Sequence, residues 1–172
     1  MTQENDLVRE AAFRYLKSGF SIIPLGHDKK SLIEWKQFQK KRANEGQIES
    51  WFKRFPKMNI GVVTGKISGI IVLDLDAKHG WSARDFKIPP TACVRTGGGG
   101  EHFFFKHPGG YISSTNGRLY GEGVDLKADG GYVVLAPSLH QSGKRYEWEI
   151  PLEDGIADVP VWLVEKIQTY HT

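Results

Sequence analysis

The run Ile70-Ile71-Val72-Leu73-Asp74-Leu75-Asp76 is an apolar stretch that ends in two acids two residues apart. Side chains alternate between the faces of a strand. Asp74 and Asp76 therefore point the same way, about 7 Å apart, while Leu73 and Leu75 point to the other side. Two ionised carboxylates on one face repel each other unless a cation lies between them, and hard oxygen donors suit Mg²⁺ or Mn²⁺. A third acid has the same character: in Gly123-Val124-Asp125-Leu126, Asp125 faces away from its apolar neighbours. If the two strands are adjacent, the three carboxylates converge. Such a set can hold two metals about 3.5–4 Å apart, one activating a hydroxyl nucleophile and the other holding a triphosphate and its pyrophosphate leaving group. The Asp-x-Asp pair alone is not specific. It also occurs in phosphatases, nucleases and glycosyltransferases, and at solvated strand ends.

A second segment could meet phosphate. Thr96-Gly97-Gly98-Gly99-Gly100-Glu101-His102 is a glycine turn opening into an apolar strand. Glycines let backbone amides approach an anion, and a histidine leaving such a turn can donate to a phosphate oxygen. Arg95, just before the turn, could add charge. Alternation puts His102, Phe104 and Lys106 on one face and Phe103 and Phe105 on the other. The run lacks the strand-to-helix context of a dinucleotide fingerprint. Gly61-Val62-Val63-Thr64-Gly65-Lys66 is one residue short of a P-loop, and no Ser or Thr follows its lysine. His107 reads as a surface residue and His79 as a bystander near the acids.

The elements that must position these groups follow from periodicity and breakers. Residues 6–17 form an amphipathic helix stopped at Gly19, and residues 47–55 a second helix ended by Pro56. Residues 20–24, 59–64 and 70–76 are strands, the last two forming a hairpin across Gly65–Gly69. Further strands are expected at 91–95, 102–106, 119–126 and 131–136, with Gly130-Gly131 turning the last two, and an edge strand at 145–149. Residues 107–118 are loop, and 161–170 a closing helix. The order gives an α+β fold with a mixed or antiparallel sheet.

Bulk properties bound the alternatives. The chain has 172 residues, 40% of them apolar and 25% charged, a net charge of +3 and a pI near 8.9. That suits one folded domain. Lys29, Lys30, Lys36, Lys40, Lys41, Arg42, Lys53, Arg54 and Lys57 crowd the first third, either as a phosphate-facing surface or as solvated helix faces. The single cysteine, Cys93, supplies neither a disulfide nor a Cys-rich zinc site, so no zinc is expected and a reduced, cytoplasmic setting is. The N-terminus does not read as a secretory leader, and no apolar run approaches the roughly 18 residues of a membrane span.

These motifs, in order, resemble the primase-polymerase domain of the archaeo-eukaryotic primase superfamily, the bifunctional DNA primase/polymerase type of plasmids, phages and mobile elements. The resemblance rests on Val72-Leu73-Asp74-Leu75-Asp76, Gly100-Glu101-His102 and Val124-Asp125. It is supported by Phe20–Leu25 with Lys30 and Trp35, by Asn59–Gly65, and by Gly130–Ser138 with His140 and Gly143. It runs from about residue 8 to 150. It implies an RRM-like catalytic sheet (about 67–172) beside a smaller N-terminal α/β lobe (about 1–66), with the active site in the cleft between. It also implies template-dependent nucleotidyl transfer from NTPs or dNTPs on single-stranded DNA template and primer. Asp74, Asp76 and Asp125 would bind two Mg²⁺ or Mn²⁺ ions, and His102 the nucleotide phosphates. Lys30, Lys127, Ser138 and His140 would make lesser nucleotide or template contacts. Gly100 departs from the pattern, which has a serine there. Several relatives need a further helical domain to start primers, so extension is the firmer expectation, and a helicase or helical priming domain would be a partner. Two other readings use the same residues: a metal-dependent nuclease or phosphohydrolase, and a non-catalytic single-strand-binding module using the Phe103–Phe105 aromatics.

Overall fold

The structure is a computed structural model; it describes residues 3–115 and 119–170, with side chains from residue 6 onward. Among the described residues, three α-helices and eight strands make an α+β fold with two antiparallel sheets. Helix α1 spans Gln3–Lys17, α2 Glu45–Arg54 and α3 Val161–Tyr170. The strands are β1 Ser21–Leu25, β2 Asn59–Val63, β3 Ile70–Leu75, β4 Cys93–Arg95, β5 Glu101–Lys106, β6 Val124–Lys127, β7 Tyr132–Val134 and β8 Glu147–Ile150. The smaller sheet has the order β1-β2-β7 and the larger β6-β3-β5-β4-β8. No described helix is long and apolar enough to cross a membrane.

The helices form where the apolar stripe predicts them. Helix α2 begins two residues before its expected start because Asn44 caps it: its Oδ1 accepts from Gln47 N (2.8 Å), and Gln47 Oε1 accepts from Asn44 N (3.0 Å). A reciprocal cap of this kind stabilises a helix by about 1 kcal/mol. Ile48, Trp51 and Phe52 carry the buried stripe.

The strand pairing corrects two expectations. Strands β2 and β3 do not form a hairpin. They belong to different sheets, and the Gly65–Gly69 turn joins them through a single bridge, Gly65 to Ile70. Likewise β6 and β7 flank Gly130-Gly131 but pair with β3 and β2 respectively. All five residues of β2 are buried. A strand covered on both sides shows no alternation, so its sequence does not announce its neighbours. The strand expected from 119 begins only at Val124, because Gly121 (φ 127°) and Gly123 (φ 90°) hold the preceding chain in a bend.

The larger sheet separates two cores. Ile71, Leu73, Leu75, Phe103, Phe105, Val124 and Leu126 face Leu163 and Ile167 of α3. Ile70, Val72, Val94 and Phe104 face the smaller sheet with α1 and α2. Phe104 is fully buried between the sheets against Trp148, ring centroids 5.2 Å apart; burial of such a ring is worth about 2–3 kcal/mol. Phe103 and Phe105 are buried too. None of the three is a surface on which bases could stack.

Candidate active site

The acids stand on adjoining strands of the larger sheet. Strand β3 is flanked by β5 and β6, and the register sets Asp74 opposite His102 on one side and opposite Asp125 on the other. Residues directly opposite in an antiparallel pair share a face. His102, Asp74 and Asp125 therefore form a row across three strands, on the side turned toward the smaller sheet. Asp76 lies just past the end of β3, where its N–H donates to Gly123 O (2.7 Å).

The row is linked by polar contacts. His102 Nε2 is 3.5 Å from Asp74 Oδ1. Lys127 Nζ is 2.8 Å from Asp125 Oδ2, and the Thr115 hydroxyl donates to Asp125 Oδ1. Asp76 Oδ1 accepts from Lys78 N (2.9 Å). Burial pushes Asp74 toward protonation, but His102, Lys127 and Lys29 outweigh it and hold the carboxyl below its ordinary value, so it stays ionised. The Nδ1 of His102 is buried without a hydrogen-bond partner among the described residues. A buried imidazole nitrogen left in that state is costly, and such exceptions cluster where a ligand completes the site.

A cavity of about 800 Å³ opens over this row, within the range that accepts a nucleotide-sized ligand. Asp74, Asp76, Gly100, His102, Lys127 and His140 line it, and the smaller sheet's side contributes Lys29, Trp35 and Tyr132. Asp125 does not itself line the cavity; its partners Thr115 and Lys127 do. Lys30 does not line it; its neighbour Lys29 does. Arg95 is directed elsewhere. It lies opposite Glu101, on the sheet face of Cys93 and Phe103, and pairs with Glu149 at 3.3 Å. Ser138 is fully buried, and its Oγ accepts from Ile60 N (3.1 Å), so it fastens β2 to the segment after β7.

The glycine turn owes its composition to packing. The N–H of Gly99 donates to Thr96 O (3.0 Å) and that of Gly100 to Thr96 Oγ1 (2.9 Å), so both amides are committed within the turn. A Cβ on Gly97 would lie 2.0 Å from His140 Cβ. One on Gly100 would lie 2.4 Å from the Leu75 carbonyl oxygen.

His140 is held beside this turn, where its Nδ1 accepts the Ser142 N–H (3.0 Å). In the neutral ring Nε2 then carries the proton. Burial, Lys29 and Lys78 all lower its pKa, which favours that neutral ring. Tyr146 completes the wall, 6.3 Å from the His102 ring and 5.9 Å from that of His140. Its phenol is pushed up to about 12 by burial and by Asp74, so it remains a neutral hydroxyl.

The donor set of the row suits a hard divalent cation, with carboxylate oxygens on one face of the sheet. The oxygens of the three acids are not gathered into one coordination sphere in this conformation. Among the described residues, the three ligand-type atoms lying within 4.8 Å of one another belong to Cys93, Glu101 and Glu149. That trio is on the opposite face. Burial, Glu149 and Glu101 raise the Cys93 pKa, and a protonated thiol is a poor ligand.

Residues 12–162 match the family model described as bifunctional DNA primase/polymerase, N-terminal (Prim-Pol). The chain belongs to the Prim-Pol family. Prim-Pol membership points to nucleotidyl transfer of the primase/polymerase type, with nucleotides and DNA as the substrate class. Comparison with curated proteins gives no match.

Several residues of this Prim-Pol cavity are not singled out by the sequence. Thr115 lies in a loop without a pattern, and Tyr146, between Arg145 and Glu147, is one aromatic among many. His107, expected at the surface, has a side chain only 5% exposed, and its Nε2 lies 2.9 Å from Asp129 Oδ2. Asp129 also accepts from Ile112 N (2.8 Å) and Lys66 N (3.0 Å), tying the 107–112 loop and the Gly65 turn to the end of β6. Burial would raise its pKa, but these two backbone donors and His107 prevail and lower it. A depressed folded-state pKa contributes stability above the unfolded carboxylate range, lost as pH falls through the folded value. Asp129→Asn turns an NH₂ toward donors and is expected to cost about 2 kcal/mol at neutral pH. In urea titrations the gap between variant and wild type should close in acid; a gap that persists at low pH would contradict this account.

Proposed function

We propose that this chain is a template-dependent nucleotidyltransferase that extends, and with a helical domain elsewhere starts, primers from NTPs or dNTPs on single-stranded DNA. The observation that carries the proposal is the register of β5, β3 and β6, which sets His102, Asp74 and Asp125 side by side on one face of the sheet, with His102 and Asp74 lining a nucleotide-sized cavity. The larger sheet serves as the RRM-like catalytic part. The N-terminal third forms the opposing lobe, to which β7 returns.

Asp74, Asp76 and Asp125 would hold Mg²⁺ or Mn²⁺. When bound, the ions lower the pKa of an attacking hydroxyl and neutralise charge on the leaving pyrophosphate. Asp74, kept ionised, orients the primer end and accepts a hydrogen bond from His102. His102, whose Nδ1 is buried without a partner among the described residues, would contact the nucleotide's phosphates. Lys127 neutralises Asp125 until the substrate is in place. The glycine turn keeps His140 on the nucleotide's side of the cavity.

The test is primer extension with Mg²⁺ or Mn²⁺, following both product length and pyrophosphate. Pyrophosphate release that depends on template and nucleotide supports the proposal. DNA degradation without added nucleotide would make the chain a nuclease instead. Metal-independent binding of single strands with no extension would make it a binding module, a role for which the buried Phe103–Phe105 run offers no stacking surface.

A further inference from the structure

Among the described residues, Lys29 is the non-glycine residue with a positive φ, at 70°. Glycine and asparagine take that conformation readily, and a long side chain does not. Its surroundings nevertheless fix it. Its N–H donates to Gly26 O (3.0 Å), and Gly26 N donates to Lys30 O (2.8 Å). Lys30 N donates to Asp28 Oδ1 (3.0 Å). From the smaller sheet, the Tyr132 hydroxyl donates to Lys29 O (2.9 Å), while the Tyr132 ring packs edge-on against Trp35 at 5.0 Å. These contacts hold the disfavoured backbone and so fix the point from which the Lys29 side chain starts.

That place is the cavity wall contributed by the loop after β1, across from the acids of β3. Lys127, the lysine nearest Asp125, is occupied by it at 2.8 Å. The ammonium of Lys29 forms no ion pair among the described residues, although its charge is felt by both Asp74 and His140. A free cation facing a carboxylate row offsets the repulsion between those acids and an incoming polyanion.

We propose that Lys29 binds the triphosphate of the incoming nucleotide from the wall opposite the carboxylates, and that Tyr132 is the positioning residue that sets its backbone. This rests on the nucleotidyltransferase reading. The phosphate could also belong to the nucleic-acid backbone, but the position of Lys29 across the cavity from the acids, near enough for its charge to act on Asp74 and His140, favours the nucleotide.

The experiment measures binding of a non-hydrolysable nucleoside triphosphate analogue with Mn²⁺, and separately of a single-stranded oligonucleotide. Lys29→Gly removes the charge and relaxes the backbone at once. It is expected to weaken the analogue about tenfold or more, leave the oligonucleotide unchanged, and not lower the thermal midpoint. Lys29→Arg should stay within about threefold of wild type, because the charge is retained. Tyr132→Phe should raise KM for the nucleotide at unchanged kcat. Unchanged analogue affinity in Lys29→Gly overturns the inference. So does a loss confined to the oligonucleotide, or a fall in thermal midpoint that takes all binding with it. If the wild type itself fails to bind the analogue, the nucleotidyltransferase reading falls first, a result distinct from the failure of Lys29 alone.

Discussion

Asp74→Asn is expected to slow nucleotide incorporation by about a thousandfold or more, with a thermal midpoint close to that of the wild type. The substitution keeps the shape of the side chain and an oxygen that His102 Nε2 can still approach, as it does now at 3.5 Å. It removes only the negative charge. Charge stabilisation by a carboxylate-held metal is worth several kcal/mol in the transition state, and each ~1.4 kcal/mol is a factor of about ten. The fold should tolerate the change, because Val72 and Leu73, which precede Asp74 on β3, stay packed in the two cores. Asp125→Asn should be slower than wild type by a smaller factor, since Thr115 and Lys127 already share that carboxylate. Single-turnover incorporation beside a melting curve separates the two effects. Wild-type rates in Asp74→Asn would remove the carboxylate row from the mechanism.

The row was legible in the letters because strand alternation is strict. Once Ile70–Asp76 is a strand, Asp74 and Asp76 must share a face and Leu73 must leave it, and the structure shows Leu73 and Leu75 in the α3 core. His102 and Phe104 follow the same rule, one in the cavity and one between the sheets. What the letters withhold is register and partner. Arg95 and His102 both flank the glycine turn, but four glycines do not fix how a hairpin closes. Only the pairing of Arg95 with Glu101 shows that the arginine is on the far face. The same ignorance produced the mistaken β2–β3 hairpin, where two neighbouring buried strands join different sheets. Lys29 and Lys30 are indistinguishable as letters. A positive φ and a tyrosine 103 positions away decide which one lines the cavity.

Gly100 shows how one position can disagree with a family pattern for a reason that lies in the backbone. The pattern has serine there, and restoring it would ordinarily be expected to add a hydroxyl near phosphate. Here the expected result is the reverse. Any Cβ at residue 100 meets Leu75 O at 2.4 Å, and a backbone carbonyl cannot swing aside as a side-chain tip can. Relief requires β5 to move away from the end of β3, between Asp74 and Asp76. Overpacking of this kind costs about 1–3 kcal/mol of stability, and displacement of reacting groups by even 1 Å can cost about a hundredfold in rate. Gly100→Ala and Gly100→Ser should therefore lose stability and incorporation rate to the same extent, because the shared Cβ causes the damage. Urea unfolding and single-turnover incorporation on both variants check this. Serine outperforming alanine would mean that the strand end yields and that a hydroxyl at residue 100 reaches the nucleotide after all; equal losses would mean that the Cβ itself, against the Leu75 carbonyl, sets the cost.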